Sequence, residues 1–151
     1  LHDNRDTVID LIGGLPGIGF RELLDADGDV ATHLVIVFPD AEMASAVTER
    51  LDSITLSHSG WHVYNHMENL LDQRTVVGRG CPFDCESHGA GGTYEAGMLP
   101  ATDALLARSM SFAIGVIDPN LAPFGVRMRD GAEVARRRAQ RFIDVYREVA
   151  T

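Results

Sequence analysis

Residues 94–116 read YEAGMLPATDALLARSMSFAIGV, and this stretch decides the fold because a short helix runs directly into a buried strand. Pro100 suits the first turn of the helix, since its fixed φ is helical and the first turn needs no N–H from it. We expect Thr102 or Asp103 to cap the free backbone N–H groups there. Leu105 and Leu106 provide the apolar side of the helix.

The second half of the stretch has the period of a β-strand. Large side chains at positions 110, 112, 114 and 116 alternate with small residues at 111, 113 and 115. One face of the strand is therefore bulky and the other is nearly bare, so another segment must pack very close to the bare face. We expect a central strand over 110–116 with a helix against its small face.

The elements on either side of this stretch alternate between strands and helices. The patterns predict a helix over 1–13, a hairpin with strands at 20–24 and 33–38, a helix that begins at an Asp40 cap, a strand over 54–58, and a final helix after Asp130. The expected apolar stripe of this final helix consists of Ala135, Ala139, Phe142, Tyr146 and Val149. The sequence therefore predicts an α/β fold of the α+β sandwich kind, with helices on one face of a sheet.

The acidic turn at 25–29 resembles a calcium loop only superficially. An EF-hand that begins at Asp25 needs Gly at its sixth position and Glu at its twelfth, and the sequence has Val30 and Ile36 there. We expect a plain polar turn.

Composition limits the class of protein. The 151 residues suit one domain with a substantial core, and a net charge of −9 argues against nucleic acid as a partner. The sequence has no apolar run near the ~20 residues of a membrane span, and residues 1–19 lack the pattern of a signal peptide. We therefore expect a cytoplasmic chain without a membrane partner. Because the chain begins at Leu1, we interpret it as a fragment or a processed product.

All 13 basic residues are arginine, and the sequence contains no lysine. Chemistry that needs a lysine, such as covalent attachment of a carbonyl compound to an amine, cannot be carried out by this chain alone.

Three of the six histidines, His58, His62 and His66, recur at intervals of four. This spacing would align them as metal ligands on a helix, but the surrounding serines, glycine and aromatics are not typical of a helix. We expect instead a polar edge that faces a cleft or a partner.

A glycine-rich segment over 78–97 contains Cys81, Cys85 and, three residues further on, His88. A zinc site would need a fourth ligand, and a disulfide is the other alternative. We expect two free thiols, since cytosolic thiols usually remain reduced, and keep Cys81, Cys85 and His88 as weak metal candidates.

The chain resembles the C-terminal small domain of the DegT/DnrJ/EryC1/StrS aminotransferases, which are sugar aminotransferases with the aspartate-aminotransferase fold. The resemblance covers nearly the whole chain and depends on the order of short motifs: Asn4-Arg5, Leu15-Pro16-Gly17, Gly28-Asp29, Phe38-Pro39, His62-Val63-Tyr64, Tyr94, Gly97-Met98-Leu99-Pro100, Thr102-Asp103, Leu105-Leu106 and Arg108-Ser109.

This resemblance implies a domain organisation and a function. Residues 1–13 would be the end of an inter-domain helix and 14–151 the small domain, while the large domain that binds pyridoxal phosphate would lie outside this chain. The parent enzyme would transfer an amino group to a keto-sugar with that cofactor, and would pair with a second subunit as a homodimer. No cofactor residue can be carried over, because the sequence has no lysine.

The resemblance also implies which residues lie on the substrate side. They are His62, Tyr64, Tyr94 and Met98, on the edge that closes over the active site in similar enzymes. Two alternatives remain open: a free-standing binding module with the same fold and no catalysis, and a zinc-binding domain built on Cys81, Cys85 and His88.

Overall fold

The computed structural model describes residues 1–60, 63–78, 80–85 and 92–151. The described helices and strands follow in this order: α1 His2–Ile12, β1 Gly19–Phe20, β2 His33–Val37, α2 Ala41–Arg50, α3 Glu68–Leu71, α4 Pro100–Ala107, β3 Ser109–Ala113 and α5 Ala132–Val149. Two short 3₁₀ turns, Leu56–His58 and Tyr64–His66, lie between α2 and α3.

The strands of the described residues form one antiparallel sheet in the order β1-β2-β3. Phe20 pairs with Ile36 across the first strand pair. In the second pair, Ile36 lies opposite Met110 and Leu34 lies opposite Phe112. The chain is thus a mixed α/β domain with a small antiparallel sheet, as the coarse fold class predicts.

The core lies between the sheet and the helices on one of its faces. Ile36, Met110 and Phe112 are completely buried from the sheet side, and helices α1, α2 and α5 supply the opposing side chains. The fully buried side chains on these helices and next to the strand ends are Val8, Ile12, Phe38, Ala44, Val47, Ile114, Ala135, Ala139, Phe142 and Val145. Burial of such apolar area is the main force that stabilises a domain of this size.

Two helix predictions are confirmed by the structure. Asp40 caps α2, because its carboxylate accepts a hydrogen bond of 2.8 Å from the Met43 amide. The apolar stripe of α5 is buried at Ala135, Ala139 and Phe142. Of the helices in the described part of the chain, none is long and apolar enough to cross a membrane.

Several predicted strand boundaries are wrong. The strand expected over 54–58 is a 3₁₀ turn, and only Thr55 forms a bridge to β3, at Met110. The strand expected over 20–24 ends at Phe20, and Leu24 is exposed over 96% of its surface. The first segment leaves the sheet after Phe20 pairs with Ile36 and the Arg21 amide bonds to Val35 O, and the second leaves it after the bridge at Thr55.

The strand expected to be central is β3, and it lies at the edge of the sheet instead, because the described strands are ordered β1-β2-β3. It is also shorter than expected, ending at Ala113 rather than Val116. Loop backbone continues the ladder, because the amide of Ala113 donates to Phe124 O and that of Val126 donates to Ala113 O. A cavity lies above the small face of the strand, and it is lined by Leu56, Val63 and Leu121, with Leu106 of α4 beside them. The close packing of a helix that we expect against this face is therefore not found.

Candidate functional site

The candidate site lies where residues 63–66 meet the start of α4. Val63 is buried, with 4% of its surface exposed, and it fixes the chain against the sheet. The 3₁₀ turn that follows directs the half-buried side chains of Tyr64 and Asn65 toward α4. Two polar side chains directly after a buried anchor are therefore held in defined positions.

Asp103, in the first turn of α4, joins these two side chains. Its Oδ2 accepts a hydrogen bond of 2.9 Å from the Tyr64 hydroxyl, and its Oδ1 accepts one of 2.9 Å from Asn65 Nδ2. Both carboxylate oxygens thus have a partner from a segment 38 or 39 residues away. The negative charge also lies at a helix N-terminus, where the helix dipole favours it.

This arrangement corrects the predicted cap of α4. The helix begins at Pro100 as expected, but its N-cap is Leu99, and neither Thr102 nor Asp103 makes a side-chain capping bond. The carboxylate of Asp103 is bonded to Tyr64 and Asn65 instead. Asp103 therefore bonds to side chains that are distant in the sequence, whereas the motif suggests a bond to the backbone amides of its own helix.

The same two side chains also hold the backbone of residues 97–99. Asn65 Oδ1 accepts a hydrogen bond of 2.9 Å from the Gly97 amide, and the Tyr64 oxygen accepts one of 2.9 Å from the Leu99 amide. Gly97 has a φ of +80°, in the region that favours glycine. Four hydrogen bonds therefore connect Tyr64 and Asn65 to the segment 97–103. We call this set of residues the Asp103 network.

Met98 lies within this segment and Tyr94 just before it, and both side chains are half-buried. The Tyr94 ring packs edge-to-face on Phe83, with centroids 5.7 Å apart and planes at 81°. Tyr94 also lines an open surface cleft of about 670 Å³ together with Leu71, Gln73 and Arg74. Met98 thus lies in the segment that Tyr64 and Asn65 hold, Tyr94 lies at the cleft beside residues 71–74, and His62 lies outside the described residues.

The two cysteines form a disulfide, with Cα atoms 4.9 Å apart. The expectation of two free thiols is therefore wrong, and in this state neither sulfur is a thiolate that could bind zinc. His88, the third weak metal candidate, lies outside the described residues. Among the residues that are described, no three His, Cys, Asp or Glu side chains are placed to hold a metal ion.

The two described histidines of the 58–66 series have separate local partners. His58 Nδ1 lies 2.8 Å from Thr55 Oγ1, and His66 Nδ1 lies 2.8 Å from the carbonyl oxygen of Ser59. Each imidazole is thus engaged with its own turn.

Sequence reasoning missed Asn65 and misjudged Asp103. Asn65 makes two of the four bonds that hold the segment 97–103. The signal that could have indicated it is the polar pair Tyr64-Asn65 directly after a buried valine. Its partners lie more than 30 residues away, however, and local patterns do not identify them.

No protein-family model matches the chain, and no curated protein matches it either.

Proposed function

We propose that this chain is the substrate-side domain of an aminotransferase that uses pyridoxal phosphate and acts on a keto-sugar. The observation that carries the proposal is the Asp103 network. Its members are Tyr64 of the motif His62-Val63-Tyr64, the neighbouring Asn65, and residues of the run of motifs that begins at Gly97. The resemblance places substrate-side residues in both of these motif segments. Four hydrogen bonds join these segments.

Other motif positions of the resemblance are also paired in space. Arg5 Nη1 donates to Asp29 Oδ2 at 2.8 Å, which connects the first helix to the turn before β2. The Phe38 amide donates to the Arg108 carbonyl oxygen at 2.8 Å, and the Arg108 guanidinium donates to the Phe38 carbonyl oxygen at 3.2 Å. Motifs scattered along the sequence thus serve as points where distant segments are joined. This is the behaviour expected of residues that define one domain fold.

The roles within the site differ from residue to residue. The Tyr64 oxygen already has one donor bond and one acceptor bond, so we assign it to positioning the segment 97–99 rather than to direct contact with substrate. Met98 and Tyr94 then remain as the side chains that would touch the sugar. A fixed backbone under them would lower the entropic cost of binding.

The cofactor would be held by protein outside this sequence. Pyridoxal phosphate acts as an electron sink and is attached through a lysine amine, and the sequence has no lysine. The residues of this chain therefore do not fit the covalent part of a cofactor site. In the proposal, the N-terminal large domain and a second subunit supply it, while this chain binds and orients the substrate.

The test uses the full product of the gene that encodes this chain. Purified with pyridoxal phosphate, it is expected to transfer the amino group of glutamate to a nucleotide-linked keto-sugar, detected by mass spectrometry of the aminated sugar. The isolated chain serves as the control and is expected to show no transfer, because it has no lysine. A full gene product that neither binds the cofactor nor aminates any keto-sugar would favour the free-standing binding module instead.

A further inference from the structure

The outer face of the sheet, opposite the core, contains a row of side chains that the proposed function does not use. The Arg21 amide bonds to Val35 O, and Val35 pairs with Ser111, so these three residues form one cross-strand row. His33 pairs with Ala113 in the next row. Paired residues of an antiparallel sheet project to the same face. Because Ser111 and Ala113 are small, space remains above β3.

That space is a cavity of about 260 Å³. Its apolar wall comes from segments outside the sheet: Leu56, Val63, Leu106 and Leu121. On the sheet side, the cavity is lined by Arg21, His33, Val35 and Ser111. For comparison, an apolar cavity of about 150 Å³ in another protein binds benzene. The cavity is therefore large enough for a molecule with a six-membered ring.

His33 provides a buried polar atom at this cavity. Its Nδ1 lies 3.2 Å from Thr32 Oγ1, while its Nε2 is buried and has no hydrogen-bond partner among the described residues. A buried polar atom without a partner is unfavourable, so a ligand that supplies one would be favoured. If the Thr32 hydroxyl donates to Nδ1, the imidazole proton is on Nε2, which is then a donor.

Arg21 provides a positive charge beside the same cavity. Its side chain is exposed, and its guanidinium makes no ion pair within the described part of the chain. Arg21 and His33 are diagonal neighbours on the sheet, with a separation of about 7–8 Å between such positions. The long arginine side chain can cover this distance, so one carboxylate can contact both groups.

The geometry points to a binding site in this cavity for a small monocarboxylate with an apolar, ring-sized body. The body lies between the leucines and Val63, and the carboxylate accepts hydrogen bonds from His33 Nε2 and the Arg21 guanidinium. This site lies on the outer face of the sheet and does not depend on the proposed transaminase role.

The test uses phenylacetate as the probe and phenylacetamide as its neutral match. In the purified chain, phenylacetate is expected to shift the imidazole nitrogen signals of His33 and the methyl signals of Leu106 and Leu121 in NMR spectra. Phenylacetamide is expected to bind about tenfold more weakly, because it loses the charge-assisted bonds. Arg21→Gln should remove this difference between the two probes.

Two variants fill the cavity from opposite sides. Ser111→Val acts from β3 and Leu106→Phe from α4, and each is expected to weaken phenylacetate binding by about tenfold or more through steric exclusion. Ser45→Val, on the exposed face of α2, is the matched control and should leave binding unchanged. If Ser111→Val does not fold, Leu106→Phe provides the result. The proposal is overturned if phenylacetate leaves the His33 signals unchanged, or if the folded filling variants bind it as well as the parent chain.

Discussion

The hydroxyl of Tyr64 lies 2.9 Å from Oδ2 of Asp103, although the two residues are 39 positions apart in the sequence. The same oxygen accepts the Leu99 amide at 2.9 Å. One phenol group therefore fixes both the first turn of α4 and the backbone just before it. Its removal should loosen the segment that carries Met98.

We predict that Tyr64→Phe lowers the free energy of unfolding by about 1 kcal/mol, because the Leu99 amide and the partly buried Oδ2 of Asp103 each lose a hydrogen-bond partner. The comparison is Tyr94→Phe, which keeps the ring contact with Phe83 and should change stability by less than about 0.5 kcal/mol. Denaturant midpoints of the two variants provide the measurement. Equal midpoints would show that the Tyr64 hydroxyl does not fasten the segment.

Local patterns were sufficient for much of the fold and for little of the site. The Asp40 cap and the buried stripe of α5 depend on residues within a few positions of each other, and both predictions are confirmed. Thr55 lies in the stretch 54–58 that we predict as a strand, yet it makes only one bridge to the sheet before the chain forms a 3₁₀ turn. A single tertiary contact overrides such a weak propensity.

The hydrogen bonds of the candidate site could not be predicted from the sequence for a similar reason, because they join residues that lie far apart in the chain. Asp103 has the position and chemistry of a capping residue, so the local motif predicted a cap. The structure instead bonds its carboxylate to Tyr64 and Asn65, which the sequence separates from it by more than 35 residues. Only the folded chain brings these groups together, because the buried Val63 precedes the 3₁₀ turn that directs Tyr64 toward α4.

We predict that Gly125→Ala costs about 2–4 kcal/mol of stability. Gly125 has a φ of +149°, and a Cβ there would overlap the backbone of Ala113 in β3. Gly115→Ala is the matched control, since its Cβ would meet only the side-chain end of Leu1, at 2.7 Å, which can move away. Thermal or denaturant unfolding measures both. A larger loss for Gly115→Ala would contradict the close approach at Gly125.

We predict a pH dependence of stability that comes from His33. Burial lowers the pKa of His33, although the nearby carboxylate of Asp118 acts in the opposite direction. The folded state therefore binds this proton less readily than the unfolded state, whose histidine pKa is about 6.5. The stability contribution is complete above that value and is lost as the pH falls through the lower, folded pKa.

The measurement is the free energy of unfolding at pH 7.5 and pH 5, compared with His33→Phe, which removes the titrating group. The parent chain should lose more stability on acidification than this variant. His66→Phe, at an exposed position, should behave like the parent. An identical loss in His33→Phe would mean that His33 is not the source.

We predict that reduction of the Cys81–Cys85 disulfide changes the surroundings of Tyr94 more than it changes global stability. The bridge closes a loop with a sequence separation of only 4, so its entropic contribution is about 2 kcal/mol or less. Phe83 lies inside that loop and packs on the Tyr94 ring. The ring-current shifts of Tyr94 in NMR spectra should therefore move on reduction. Unchanged Tyr94 signals would show that the loop does not need the bridge to keep Phe83 in place.

The most direct test of the account is Asp103→Asn in the full gene product, assayed for amino transfer to a nucleotide-linked keto-sugar. The amide cannot accept from Tyr64 and Asn65 as the carboxylate does, so the segment under Met98 should loosen. We predict a KM for the sugar raised by about tenfold, a smaller change in kcat, and unchanged absorbance of the bound cofactor. A folded Asp103→Asn variant with the KM of the parent, or a parent that transfers no amino group, would contradict the account.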